Sequence, residues 1–324
     1  MSGGRDLNIV VYHYVRRLAQ SRYPGIKGLE VSEFKEQLSY LTRNYHPVTV
    51  EAVVHSLRTG EALPPRAVLL TFDDGYLDHY LNAFPLLHDL GIQGAFFPPV
   101  SAARDGKLLD VNRIHFILAS AREPQEVKGD LDAQVDRYRE EFQLPSTQEY
   151  WLQYGQPNRF DPAEVMYIKR MLQHGLPERL RQCITGELFS KYVAREEEAF
   201  ARELYMDAAQ LSRMQAEGMY IGSHGVSHGW LNKMSLEEQV AEIEGSLGFL
   251  REIGSPVDDY WVMCFPNGGW DRTLLAELRN RKCSFGLTTE AAVANLDRGD
   301  PLLLPRLDTN DFPPKRGVDV AVGL

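Results

Sequence analysis

Two short segments of the chain carry side chains that suit the binding of a divalent metal ion. The first reads Thr-Phe-Asp-Asp-Gly and places Asp73 beside Asp74. Adjacent carboxylates at a strand end point in different directions, so one can bind a metal while the other stays available as a base. The second reads Ser-His-Gly-Val-Ser-His and places His224 and His228 four residues apart, so that both imidazoles can converge on one cation within a single turn. Carboxylate oxygens and imidazole nitrogens suit Zn²⁺ or a similar ion.

Each segment also has an ordinary structural explanation. An Asp followed by Gly after a strand is a common helix cap and turn. Two histidines in one loop are often surface residues, because short motifs match by chance. One carboxylate and two imidazoles on the same ion would leave coordination positions open for water and substrate, which is typical of a catalytic rather than a structural site.

The composition bounds the class of protein that must position these groups. The chain has 324 residues, of which 44% are hydrophobic and 25% charged, as in an ordinary globular enzyme. Its net charge of −10 argues against a nucleic-acid partner. No apolar run is long enough for a membrane span and no secretory signal is visible, so we expect a cytoplasmic location. Cys183, Cys264 and Cys283 are far apart and are expected to be reduced thiols.

Short apolar runs alternate with helical patterns, which predicts a parallel sheet. One predicted helix, residues 77–90, ends at Gly91 and would place His79 on a solvated face. Seven βα units fit a closed ring better than a flat sheet, so we predict an α/β fold, a distorted (β/α)7 barrel. The predicted strands are residues 7–12, 67–71, 94–97, 219–223, 260–265, 283–288 and 302–305.

The alternation is interrupted once, after the third predicted strand. The following stretch has many charges and helical patterns but no clear strand. We therefore predict two parts, a barrel formed by residues 1–106 and 204–324 and a helical insertion subdomain formed by residues 107–203. The insertion is expected to flank the site or to form a homodimer contact. Its predicted helices are residues 112–121, 131–142, 162–173 and 195–205.

Polar residues that could do chemistry follow several of the predicted strands directly. His13 follows the first strand, the two aspartates follow the second, the two histidines follow the fourth, and Arg306 and Asp308 follow the seventh. In β/α barrels the active site is built at the carboxyl ends of the strands. The topology therefore predicts that residues remote in sequence meet at one end of the barrel.

The two motifs, in this order and each after a strand, resemble those of the polysaccharide deacetylase family, whose domain is named for a nodulation chitooligosaccharide deacetylase. The resemblance covers the barrel and excludes most of the insertion. It implies a distorted β/α barrel in which Asp74, His224 and His228 bind a divalent metal, most often Zn²⁺, and Asp73 is the general base. The implied reaction is removal of an N-acyl group, usually acetyl, from an amino sugar.

Two features depart from the family pattern. The usual third motif carries an Arg, whereas here Pro266 and Asn267 lie in a turn whose N–H is predicted to face the oxyanion; an ordinary strand-to-helix turn is the alternative. The family's usual acid His near the C-terminus is missing, because no His follows His228. Biofilm poly-N-acetylglucosamine deacetylases of the family carry it in a similar N-terminal Tyr-His segment. The resemblance thus implies His13 as proton donor, and we expect its ring on the side of the metal away from Asp73; a His that merely hydrogen-bonds in the first strand is the alternative.

Supporting roles are predicted for two further residues. Arg306 is expected to pair with Asp73 and keep it ionised, and Asp308 to orient His13, although a surface Arg–Asp pair is the plain alternative.

The segment around His13 also resembles family members linked to bacterial surface polysaccharide synthesis, so a nucleotide-linked or lipid-linked amino sugar is a candidate substrate. Two other functions remain open: a metallo-amidohydrolase of a small non-sugar amide, which the same fold hosts, and a non-catalytic sugar-binding barrel.

Overall fold

A computed structural model of the chain describes residues 5–314. It divides into two compact units: the first comprises the described parts of residues 1–17, 28–107 and 202–324, and the second comprises Leu18–Lys27 and Leu108–Ala201. The strands are β1 (Asp6–Tyr12), β2 (Val15–Arg16), β3 (Leu29–Glu30), β4 (His46–Pro47), β5 (Ala67–Asp73), β6 (Gly94–Phe97), β7 (Tyr220–Ile221), β8 (Val262–Cys264), β9 (Phe285–Leu287), β10 (Ala294–Asn295) and β11 (Leu307–Asp308).

Helices connect these strands and make up most of the second unit. No helix within residues 5–314 combines the length and the apolar character that crossing a bilayer requires. The α-helices are α1 (Val31–Asn44), α2 (Val50–Thr59), α3 (Phe84–Asp89), α4 (Val100–Ala103), α5 (Asp110–Ser120), α6 (Pro124–Phe142), α7 (Thr147–Tyr154), α8 (Ala163–Arg170), α9 (Glu178–Tyr192), α10 (Glu197–Leu204), α11 (Ala208–Ala216), α12 (Leu236–Glu252) and α13 (Arg272–Asn280).

The first unit is a ring of parallel strands. β1 pairs with β5, β5 with β6 and β6 with β7. Ser223 then bridges Met263 of β8, β8 pairs with β9, and Leu287 of β9 bridges Leu304. β11 pairs with β1 and closes the ring. The predicted fold class, a distorted (β/α)7 barrel, is confirmed.

The central strand β5 determines where its last residues point. Every residue of β5 is buried, as expected for an apolar strand that has a neighbour on each side. Val68 and Leu70 belong to an apolar cluster that includes α1 and α12, whereas Leu69 belongs to a second cluster, made of alternate residues of β1, β5 and β6 together with residues of α2 and other segments. Because side chains alternate along a strand, Thr71 and Asp73 share the inward side with Leu69. Asp73 therefore lies at the carboxyl end of the barrel interior.

The predicted seventh strand, residues 302–305, is wrong in its position. Pro301–Leu303 form a 3-10 helix, Leu304 makes a single bridge, and the strand β11 comes later, at Leu307–Asp308. Proline has no N–H, so Pro301 and Pro305 cannot donate to a continuous ladder. The displaced strand runs beside β1 and pairs Val11 with Asp308.

The predicted helix at residues 77–90 is also not regular. Its first part, His79–Ala83, is a π-helix, and α3 follows it. The N–H of Phe84 bonds to the carbonyl of His79, and Pro85 has no N–H with which to restore the regular pattern. The expectation that His79 is solvated is wrong, because its side chain is fully buried.

The second unit is helical throughout, and no strand occurs in residues 108–201, all of which the structure describes. Two of its helices, α7 and α9, are absent from the helices that the sequence pattern predicts. The division also differs from the predicted boundaries in that Leu18–Lys27 belongs to this unit, where Tyr23 packs edge-on against Phe116 and Phe200.

Candidate active site

Asp74, His224 and His228 bring one ligand atom each to a common point at the carboxyl end of the barrel. Oδ1 of Asp74 lies 3.4 Å from Nε2 of His224 and 3.1 Å from Nε2 of His228. Asp74 and His228 have φ angles of +70° and +59°, a conformation that is costly for residues with a side chain. Gly75 follows at +68°, and a Cβ there would lie 2.7 Å from Pro98. The sharp turn that aims Asp74 inward therefore requires glycine.

Three neighbours orient these ligand atoms. Nδ1 of His224 lies 2.7 Å from the carbonyl oxygen of Cys264, to which it donates, so Nε2 is the nitrogen that faces the site. The hydroxyl of Tyr76 donates to Oδ2 of Asp74 at 2.6 Å and leaves Oδ1 facing the histidines. Glu242 accepts the backbone N–H groups of residues 226 and 227 and thereby holds the turn between the two histidines.

The donor set fits a divalent ion. A tetrahedral ion with bonds of about 2.0–2.2 Å separates its ligand atoms by about 3.3–3.6 Å, close to the observed spacing. Burial disfavours ionisation of Asp74, but hydrogen bonds to His224 and His228 hold its pKa well below the ordinary value. Burial likewise opposes protonation of His224, yet Cys264 and Asp74 raise the pKa of His224 well above its ordinary value. The site therefore favours a positive charge among these groups.

Asp73 and Arg306 form a buried ion pair beside this point. Nη1 and Nη2 of Arg306 donate to Oδ1 and Oδ2 of Asp73 at 2.9 and 2.8 Å, in the two-pronged geometry that suits guanidinium and carboxylate. Nε of Arg306 donates to the carbonyl of Thr288. Burial alone would raise the pKa of Asp73, but Arg306 outweighs it and lowers the pKa to about 2. Asp73 is therefore an ionised carboxylate that can accept a proton.

His13 lies next to Asp73 and is half exposed. Its Nε2 is 4.0 Å from Oδ2 of Asp73, and 49% of its side chain is exposed. The expectation that His13 stands away from Asp73 is wrong. Tyr12 and Phe72 are register partners on neighbouring parallel strands, so the residues that follow them are also neighbours. His13 and Asp73 consequently face the same side of the site.

The remaining predicted residues lie close by with different contacts. Pro266 is buried in a 3-10 turn, where Asn267 has a φ of +55° and donates through its side chain to the carbonyl of His228. The direction of the Asn267 N–H toward an oxyanion stays a prediction. Asp308 accepts hydrogen bonds from the backbone and side chain of Asn310, and none of its described hydrogen bonds reaches His13. Asp308 therefore acts here as the cap of a short 3-10 helix.

Several residues of the site are not among those predicted from the sequence. In the sequence, Glu242 reads as an ordinary solvated residue of a helix. Counting from the capping residue Ser235 places it on a defined face of α12, and in the structure it is buried. Tyr76 directly follows the first motif, and this position is a signal by which it could have been found. His79 carried no usable local signal, because its burial depends on packing against Phe72, Tyr76 and Phe96.

Comparison with known proteins finds relatives by sequence. The sequence model described as polysaccharide deacetylase matches residues 183–285, a range that includes both histidines but not Asp74. The poly-beta-1,6-N-acetyl-D-glucosamine N-deacetylase of Escherichia coli K12 is 39% identical over 70 residues, which are 21% of this chain. The match spans only 10% of that protein's length.

Solved structures match over nearly the whole chain. The deacetylase PplD of Streptococcus pyogenes, in complex with acetate, is 16% identical, with 94% of this chain and 93% of that chain covered and a TM-score of 0.55. IcaB from Ammonifex degensii is 19% identical, with 94% and 91% covered and a TM-score of 0.52. At these identities the likeness establishes a shared fold.

Proposed function

We propose that this chain, which matches the polysaccharide deacetylase model over residues 183–285, is a metal-dependent hydrolase that removes an N-acetyl group from an amino sugar. The observation that carries the proposal is the convergence of Asp74, His224 and His228, whose ligand atoms lie within 4.8 Å of one another. They stand beside an ionised, buried Asp73 at the end of a barrel where such enzymes build their sites. A divalent ion held there supplies Lewis acidity, which activates water and polarises an acyl oxygen.

Asp73 is the proposed base. Water adds to the acyl carbon, and its proton passes to a carboxylate oxygen of Asp73. Arg306 keeps that carboxylate ionised and fixes its plane through two hydrogen bonds. A positioned base of this kind contributes roughly 10²–10⁴-fold to a rate. The backbone N–H of Asn267 is the proposed donor to the oxyanion that forms on the acyl oxygen.

His13 is the proposed acid. An amide nitrogen leaves poorly as an anion, so it must gain a proton as the carbon–nitrogen bond breaks. The half-exposed imidazole can deliver that proton from Nε2, which already faces the site near Asp73. Water and the amide are thereby converted into acetate and the protonated amine: Asp73 takes one proton from water, His13 gives one to the leaving nitrogen, and the proton of the new carboxylic acid passes to the amine.

The substrate proposal takes its chemistry from the relatives. The Escherichia coli relative is named for poly-beta-1,6-N-acetyl-D-glucosamine, and we propose an N-acetylglucosamine unit as the substrate class here. We further propose that the ion is Zn²⁺ and that the physiological substrate is a nucleotide-linked or lipid-linked precursor. The protein is proposed to act as a homodimer in the cytoplasm. Analytical ultracentrifugation tests the homodimer.

A substrate panel tests the function. Purified protein loaded with Zn²⁺ is assayed for acetate release from β-1,6-linked N-acetylglucosamine oligomers, UDP-N-acetylglucosamine and, separately, for hydrolysis of small ureides and imides. We expect release from at least one sugar and none from the ureides. Activity on ureides alone would favour the small-amide hydrolase, and no activity with retained sugar binding would favour a binding barrel.

A further inference from the structure

His79 is a buried histidine that donates a hydrogen bond to the backbone of His13. Its Nε2 lies 2.6 Å from the carbonyl oxygen of His13, and none of its side chain is exposed. A carbonyl oxygen only accepts hydrogen bonds, so Nε2 carries the proton. Nδ1 has no hydrogen-bond partner among the residues that the structure describes. Burial lowers the pKa of His79 to about 4, so the ring stays neutral and keeps its single proton on Nε2 near neutral pH.

The same π-helical segment holds the chain beyond His13 with two further side chains. Nδ2 of Asn82 donates to the carbonyl of Val15 at 2.8 Å, and Nε of Arg16 donates to Oδ2 of Asp78 at 2.6 Å. On its other side, β2 pairs with β3. π-Helical turns often occur at functional sites. Here His79 and Asn82 of the π-helix donate to the backbone carbonyls of His13 and Val15, and Asp78, which precedes the π-helix, accepts from the Arg16 side chain.

The position of the His13 imidazole depends on how the backbone of His13 is held. It is half exposed, and none of the described hydrogen bonds holds the ring; its one recorded ionic neighbour is Asp73 at 4.0 Å. The backbone of His13, in contrast, is held by the N–H of His79. We propose that His79 is a positioning residue, which fixes the His13 backbone so that the imidazole meets the substrate nitrogen. The inference rests on the proposed function, in which His13 is the proton donor.

His79→Phe tests the hydrogen bond and keeps the aromatic packing. Phenylalanine fills the same space but has no N–H, so kcat for an N-acetylglucosamine oligomer should fall about 10²-fold, the cost of a displacement near 1 Å, while KM and metal content stay unchanged. His79→Gln places an N–H at a similar reach and should restore most of the loss. His88→Phe is the matched control, because His88 is half exposed and pairs with Glu217. The aromatic neighbours of His79 that the Phe variant preserves are Phe72, Tyr76 and Phe96.

A double variant separates positioning from a general loss of structure. If His79 acts through His13, His79→Phe causes no further loss in a His13→Ala background. Hydrolysis of 4-nitrophenyl acetate by His79→Phe should fall much less than its amide hydrolysis, because nitrophenolate leaves without a proton. An equal loss on ester and amide, an additive loss in the double variant, or full amide activity of His79→Phe overturns the positioning role alone. A wild-type protein that hydrolyses neither amide nor ester overturns the proposed function and the inference with it.

Discussion

Removing one partner of the buried Arg306–Asp73 pair is predicted to destabilise the protein strongly. Both side chains are almost fully buried, at 3% and 4% exposure. Arg306→Met removes the guanidinium while keeping an unbranched apolar chain, and leaves the Asp73 carboxylate buried without its cation. Breaking a buried pair in this way costs about 3–5 kcal/mol of the free energy of unfolding. The carbonyl of Thr288 loses its donor in the same variant.

The double variant Arg306→Met/Asp73→Asn should recover part of that loss. It leaves neither member of the pair charged, so the two substitutions should be non-additive by about 0.5–3 kcal/mol. Urea unfolding of chelator-treated protein measures the free energies without a contribution from a bound ion. Arg251→Met is the control, because Arg251 pairs with Asp258 on the surface and should cost no more than about 1 kcal/mol. An Arg306→Met variant as stable as this control would contradict the reasoning.

Three further outcomes test individual residues. His224→Ala should lose the bound ion, measured by elemental analysis after dialysis, while His88→Ala retains it; equal metal content in both variants argues against the ligand set. His13→Ala should keep its metal and lose about 10²–10⁴-fold in amide turnover, and steady-state kinetics that match wild type would remove it as the acid. Glu242→Gln should weaken metal affinity about 10–100-fold by loosening the turn between the histidines, which a competition titration with a chelator measures against wild type.

The local sequence is sufficient to predict the elements that are determined by neighbouring residues. The strand that precedes Asp73 is a continuous apolar run, and the turn after it carries its glycine, so the residue types alone predict both. The meeting of Asp73 with Arg306, more than two hundred positions later in the chain, follows from one topological rule: parallel strands present their carboxyl ends at the same end of a barrel.

Features that depend on register and packing cannot be predicted in the same way. The prediction for His13 placed the proton donor on the opposite side of the metal from the base, whereas β1 and β5 are neighbouring strands whose register brings the residues after Tyr12 and Phe72 together. The side chain of His79 was predicted to be exposed because the pattern of apolar residues indicates a regular helix and gives no sign of the π-helix at His79–Ala83. The last strand was predicted at the wrong position because the apolar residues 302–304 resemble a strand, although Pro301 and Pro305 flank them and cannot donate to a ladder.

Acetate release as a function of added Zn²⁺ tests the central claim most directly. Protein stripped with a chelator is titrated with Zn²⁺ in the presence of an N-acetylglucosamine oligomer, and Asp74→Asn is titrated in parallel. The account predicts no release from the stripped protein, full release once one ion is bound per chain, and little release from Asp74→Asn at the same zinc concentration. Undiminished acetate release from the stripped protein, or equal zinc-dependent release from Asp74→Asn, would contradict it.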